Sequence, residues 1–126
     1  LLHFVRNGDY RPVIPISNKM KKMPGNLTLE LERTEDILQT LGSEKRPGLL
    51  LIGFAAETDD LKANAVGKLN RKNIDWIVAN DVSRTDRGFG ADTNAVTLFS
   101  RDGRQIELPL AGKDEIARQI LELVLT

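Results

Sequence analysis

Residues 49–54 and 76–79 are apolar at successive positions rather than at alternate ones, and both runs are short and bounded by turn formers. A strand that is apolar on both faces must be covered on both faces, which is the condition of a central strand between helical layers. Two further strand signals, residues 1–5 and 27–32, are also short and apolar. Helical patterns lie between and after the strands. Thr34 can cap a short helix reaching residue 41, which Gly42 would end. Thr58 can cap a longer one, with Asp59 and Asp60 at its positive end and Leu61, Ala65 and Leu69 as its buried stripe. Beyond Ser83 a loop containing Gly and Asp leads to residues 95–99, a turn at 101–104 and residues 105–108, which read as a β-hairpin. Residues 113–125 set Ile116, Ile120 and Val124 on one helical face, with Ala117 and Leu121 beside it. Strands alternating with helices through short connections predict an α/β fold: a three-layer, Rossmann-like, mainly parallel sheet with a C-terminal β-hairpin and closing helix.

The chain has 126 residues, enough for one core, and its 40% hydrophobic and 29% charged residues are those of a folded domain. Lys plus Arg and Asp plus Glu are 18 each, so no net field favours nucleic acid or an anionic membrane as partner. Any anion site must be local. With no Cys and one His, disulfides, thiolate metal sites, a cysteine nucleophile and multi-histidine metal sites are excluded within this chain. Cysteine-free composition is compatible with a cytoplasmic location. The longest apolar run falls far short of the roughly 20 residues that cross a bilayer. The opening Leu1-Leu2-His3-Phe4-Val5 reads as the middle of a strand, so the expectation is a piece of a longer protein.

Ligands of such sheets bind beyond the carboxyl ends of the strands. Phe54, Glu57, Asn80 and Asp81 stand there. Gly53, Ala55 and Ala56 would let a ligand approach the backbone, and Phe54 offers either an aromatic face for a base or a core ring. Lys19, in Lys19-Met20-Lys21-Lys22, belongs to a loop that could close over a triphosphate or stay a solvated basic surface. Lys68 and Lys72 are neighbours on one helix face and repel by roughly 0.2 to 0.5 kcal/mol unless an anion or an acidic side chain lies between them. Asp9 can hold a sugar hydroxyl, a magnesium ion or a basic group, or cap a turn. Asn80, Asp81 and Asn94 are ligand contacts or turn residues. His3, in an apolar stretch, reads as structural. No Gly-rich phosphate fingerprint or Walker sequence is present.

Six fragments occur in one order: Asp9-Tyr10-Arg11-Pro12, Lys19-Met20-Lys21-Lys22, Gly53-Phe54-Ala55-Ala56-Glu57-Thr58, Lys72-Asn73-Ile74-Asp75, Ala79-Asn80-Asp81-Val82-Ser83 and Phe89-Gly90-Ala91-Asp92-Thr93-Asn94-Ala95-Val96. Together they resemble the phosphopantothenoylcysteine synthetase domain of the bifunctional coenzyme A biosynthesis flavoprotein. The resemblance implies that residues 1–126 are the C-terminal part of a phosphopantothenate-cysteine ligase domain whose upstream part is absent. It implies a ligase that activates phosphopantothenate as an acyl-cytidylate with CTP as cosubstrate and transfers the acyl group to cysteine. It assigns nucleotide binding to Asp9, Lys19, Glu35, Asp36, Ile37, Leu38, Phe54, Lys68 and Lys72, and a catalytic role to Lys19, with Glu35 standing where the family often has Pro. Mg2+ would accompany the triphosphate, with no protein ligand assigned, and FMN would enter only with a decarboxylase domain fused upstream. The implied partners are CTP, phosphopantothenate and cysteine, and a second subunit paired through the hairpin or a fused domain, with neither nucleic acid nor membrane. The competing expectation is a noncatalytic, truncated nucleotide-binding or dimerisation module of the same fold.

Overall fold

The computed structural model describes residues 9–14, 18–19, 21–22, 24–83 and 93–126. The chain divides into two compact units, Leu1–Ile37 and Leu38–Thr126.

In the first unit, β1 (Tyr10–Pro12) pairs antiparallel with β2 (Leu31–Arg33) in a two-stranded ribbon, with Arg11 opposite Glu32. Arg11 Nε donates to Glu32 Oε1 at 2.7 Å, and the Thr34 amide donates to the Asp9 carbonyl at 3.0 Å. The expected strand over residues 27–32 is reduced to its last turn of sequence, and Leu27, Leu29 and Leu31 are all more than half exposed. Three paired residues provide no layer against which alternate leucines can be buried. The strand expected over residues 1–5 and the Gly-Asp loop before Thr93 lie outside the described residues.

Helix α1 (Ile37–Ser43) starts three residues after Thr34, whose amide is bonded to the ribbon. It ends at Ser43, one residue past the stop expected at Gly42, which is buried. A Cβ on Gly42 would sit 1.7 Å from the carbonyl oxygen of Lys72, so this glycine is there for close backbone contact.

The second unit contains a four-stranded sheet in the order β3-β4-β5-β6: β3 (Ile52–Glu57), β4 (Trp76–Asp81), β5 (Thr93–Ser100) and β6 (Gln105–Gly112). The α/β architecture, the hairpin and the closing helix expected from the sequence are present. The sheet is mixed: β3 and β4 are parallel, joined through α2 (Leu61–Lys72), while β4–β5 and β5–β6 are antiparallel. The parallel character is confined to β3–β4, since the hairpin supplies the other strands.

Alternation along the strands builds two cores. Leu51, Ala55, Ile77, Ala79 and Phe99 pack with Ala65 and Leu69 of α2 and with Ile74. Trp76, Val78, Val96, Leu98 and Leu108 pack on the other face with Ile116, Ile120 and Val124 of α3 (Lys113–Val124). The result is the three-layer arrangement, with each buried Leu, Ile, Val or Phe contributing about 1.5–3 kcal/mol relative to exposure. On α3, Leu123 rather than Ala117 or Leu121 borders the buried stripe, and Leu121 remains 42% exposed.

Several boundaries differ from those expected. β3 begins three residues late because the Asp75 carboxylate accepts from the Leu51 amide at 2.9 Å, and the Leu51 carbonyl accepts from the amides of Asp75 and Trp76. Thr58 and Asp59 do not cap α2. Asp60 is the N-cap, in a left-handed conformation without a side-chain cap bond, and Asn64 Nδ2 donates to the Asp59 carbonyl at 2.7 Å. The hairpin runs on to Thr93 and Gly112 through a bulge, where Pro109 and Leu110 oppose Ala95. No helix among the described residues is long and apolar enough to cross a membrane.

Candidate functional site

Pairing register decides what the carboxyl ends of β3 and β4 present. Phe54 pairs with Val78, Ala56 with Asn80 and Glu57 with Asp81. Because successive side chains alternate between faces, Gly53, Ala55, Glu57 and Asp81 look toward α2, while Phe54, Ala56 and Asn80 share the face on which Trp76 and Val78 meet α3.

On that second face Phe54 is 73% exposed, so it is not a core ring. Asn80 is half-buried, and its Oδ1 is buried without a hydrogen-bond partner among the described residues. Its neighbour resolves differently. Asp81 Oδ1 accepts from the Ser83 amide at 3.0 Å and from Ser83 Oγ at 2.5 Å, the turn role left open by the sequence.

On the α2 face, Lys68 Nζ donates to Glu57 Oε1 at 2.6 Å, with the Glu57 side chain only 10% exposed. An acidic side chain therefore offsets one of the two charges spaced four apart on α2. Lys72, one turn on, is half-buried in the last turn, where a cation favours the helix dipole. The end of α2 is anchored by Asn73, whose left-handed conformation closes the helix and whose Nδ2 donates to the Gly42 carbonyl at 2.8 Å.

The space above Gly53 belongs to the protein. A Cβ there would meet Ile74 Cδ1 at 2.8 Å and Leu38 Cδ2 at 3.0 Å, so the glycine admits packed side chains and not the ligand expected from the sequence. Leu38 is thereby a core contact of the second unit as well as a predicted site residue.

In the first unit, Asp9 is exposed at the foot of the ribbon, and Lys19, Lys21 and Lys22 are exposed on the connection between β1 and β2. Glu35 and Asp36 are exposed just past β2, and Ile37 begins α1. His3 and the Asn94 side chain lie outside the described residues. Thus β3 and α2 bring Phe54, Lys68 and Lys72 onto adjoining elements, with Phe54 and Glu57 on opposite faces of one strand.

A cavity of about 470 Å³ opens on the α2 side of the sheet, walled by Leu61, Ala79, Asp81, Thr97, Glu107 and Leu108 among others. Of the candidates singled out in the sequence only Asp81 lines it, and none of the residues assigned to nucleotide binding does. The Glu57–Lys68 pair was within reach of the sequence: a Glu closing a strand and a Lys two turns into the next helix. Among the described residues no group of three or more His, Asp and Glu could hold a metal ion.

At the opposite, amino-terminal ends of the strands, Lys45 is bonded to the Asp75 carboxylate that also receives the Leu51 amide. Burial raises the Asp75 pKa, but the Leu51 amide and the Lys45 ammonium outweigh it and hold the group below the ordinary carboxylate value. This cluster braces the sheet.

Residues 7–126 match the family model described as "DNA/pantothenate metabolism flavoprotein C-terminal domain". The chain is 51% identical over 114 residues to the coenzyme A biosynthesis bifunctional protein CoaBC of Bacillus subtilis (strain 168), covering 90% of this chain and 28% of that protein. It is 39% identical over 118 residues to a cysteine/cysteine sulfinic acid decarboxylase from an unknown prokaryotic organism, covering 94% of this chain and 33% of that protein. The crystal structure of the C-terminal domain of a coenzyme A biosynthesis bifunctional protein CoaBC aligns with a TM-score of 0.68 at 44% identity, over 92% of this chain and 47% of that one. The chain therefore spans a third or less of these curated relatives, whose names describe longer proteins.

Proposed function

Because the chain belongs to the DNA/pantothenate metabolism flavoprotein C-terminal domain family, we propose that it is the nucleotide-binding part of a cytoplasmic, CTP-dependent phosphopantothenate-cysteine ligase of coenzyme A biosynthesis. Phe54 carries the reading. An aromatic ring 73% exposed near the carboxyl end of the parallel β3–β4 pair offers its face to a flat base. Lys68, held by Glu57 at the end of the same strand, supplies a positioned cation.

In the first step a phosphopantothenate carboxylate oxygen attacks the α-phosphorus of CTP. A P–O bond forms, the bond to the β-phosphate bridging oxygen breaks and pyrophosphate leaves. The cysteine amine then attacks the acyl carbon, a C–N bond forms, the acyl C–O bond breaks, and CMP leaves as the amine gives up a proton. Both steps bring anions together, so positioning and charge neutralisation supply much of the acceleration. Lys19, Lys68 and Lys72 counter the phosphates, Lys19 also supporting turnover of the acyl intermediate. Asp9 contacts the nucleotide, and Glu35, Asp36, Ile37 and Leu38 line its site. Mg2+ would accompany the triphosphate and neutralise part of its charge, with no protein ligand assigned to it. FMN belongs to a decarboxylase domain where one is fused. Subunit pairing uses the hairpin edge over residues 105–108, because Pro109 cannot donate to an added strand.

The test is Lys19→Gln in a complete synthetase, followed by pyrophosphate release. Loss of one charge-assisted contact is expected to lower turnover at least ~10-fold with the melting temperature unchanged. Turnover equal to the parent's would refute the assigned role, and CTP binding without pyrophosphate release in the parent would favour a noncatalytic module.

A further inference from the structure

The cavity on the α2 side of the sheet, about 470 Å³, takes no part in the nucleotide reading. Its floor follows from the pairing register. Ala79 of β4 lies opposite Thr97 of β5, and Thr97 opposite Glu107 of β6, so the three form one row across the sheet. Small side chains at Ala79 and Ala95 leave open the space that larger ones would fill, and Leu61, the first residue of α2, stands at the margin. The volume is within the ~300–1,000 Å³ range of small-molecule sites.

Charge decides which molecule this hollow suits. Its ionisable walls are the carboxylates of Asp81 and Glu107, the half-buried Thr97 adds a hydroxyl, and no Lys, Arg or His is among the walls. Asp81 is held in place, since its Oδ1 accepts from the Ser83 amide and hydroxyl. Carboxylates and a hydroxyl accept hydrogen bonds from an ammonium group and repel anions. Of the three reactants in the ligase reading, CTP and phosphopantothenate are anions, and cysteine alone carries a cationic group. The position also fits. Glu57, which holds Lys68, is the register partner of Asp81, so the cavity wall is one strand spacing, roughly 5 Å, from the strand that positions this cation.

We propose that this cavity is the subsite of the amine co-substrate, where Glu107, Thr97 and Asp81 receive the ammonium group of cysteine. The inference rests on the ligase reading above and adds the place of the second substrate. The sign of the walls sorts the reactants, because the same carboxylates that attract the amino acid keep the two phosphate-bearing molecules out.

The experiment is steady-state kinetics of a complete synthetase containing this chain, with cysteine and CTP varied in turn, for the parent, Glu107→Gln and Glu107→Asp, together with thermal melts. Glu107 is exposed on the hairpin, so neither variant should alter the melting temperature. Glu107→Gln should raise the KM for cysteine about 3- to 10-fold without raising the KM for CTP, and Glu107→Asp, which keeps the charge, should recover part of that loss. A KM for cysteine equal to the parent's in Glu107→Gln, or a rise in both KM values together with a lower melting temperature, overturns the inference and leaves the ligase reading standing. A parent that releases no pyrophosphate from CTP overturns both.

Discussion

Replacing Gly42 with Ala sets two opposing effects against each other, and the geometry says which prevails. Gly42 is the penultimate residue of α1, where helix propensity alone would make Ala better by at most about 1 kcal/mol. The added Cβ, however, would lie 1.7 Å from the Lys72 carbonyl oxygen and 3.2 Å from that of Asn73. These are backbone atoms at the end of α2, which cannot swing aside as a side chain would. Restoring contact distance requires α1 to retreat by roughly 1.5 Å. Such overpacking costs about 1–3 kcal/mol. The retreat also breaks the bond from Asn73 Nδ2 to the Gly42 carbonyl, another ~0.5–1.5 kcal/mol. After the propensity gain the net destabilisation is about 2 kcal/mol, equivalent to a fall of roughly 6–10 °C in melting temperature for a domain of this size.

Thermal and urea denaturation of Gly42→Ala, Asn73→Gly and the double variant measure this directly. Asn73→Gly keeps the left-handed C-cap and removes only the side-chain bond. The double variant should therefore be less destabilised than the sum of the singles, since each breaks the same hydrogen bond. A Gly42→Ala protein that melts at or above the parent temperature would refute the reasoning, because it would mean that propensity decides and that the two helices are not in backbone contact. The contact also bears on function. It fixes the turn of α2 that carries Lys72, so the variant should bind nucleotide more weakly than its stability loss alone would cause.

Two other perturbations have clear signs. The folded-state pKa of Asp75 lies below its ordinary value of 3.8, so its contribution is fully present above that value and is lost as pH falls through the depressed one. Asp75→Asn should flatten the acid branch of the stability curve between about pH 5 and pH 2, and an acid branch as steep as the parent's would contradict the assignment. Phe54→Ala should change stability by no more than ~0.5 kcal/mol, because the ring is largely exposed, yet weaken nucleotide binding in titration. A large melting loss with unchanged binding would identify Phe54 as a packing residue.

What could be read from the sequence depended on whether a residue's neighbours are local. The stripe of Leu61, Ala65 and Leu69 was legible because helical period alone puts those residues on one side. Ile116, Ile120 and Val124 were legible for the same reason. The start of β3 was not, because the group that holds the Leu51 amide out of the ladder is a carboxylate 24 residues later. Gly42 was legible as marking the end of α1, which closes one residue later, but the Lys72 carbonyl packed against it was not. Gly53 is the parallel case, with Leu38 and Ile74 in the space that local reasoning left for a ligand.

The same division runs through the candidate site. Phe54 and Lys68 stand out in the sequence as residue types, but the exposure of one and the Glu57 partner of the other depend on how α2 returns along β3. Asn80 and Asp81 are the sharpest instance, being adjacent residues with the same two sequence prospects, turn or ligand. Asp81 has a serine two positions on that can close a turn onto its carboxylate, and it does. Asn80 faces the other side of the sheet, where the pairing with Ala56 provides no donor. Local hydrogen bonding thus accounts for Asp81 and leaves the Asn80 oxygen without a partner among the described residues, a difference that follows from which face of the sheet each side chain takes.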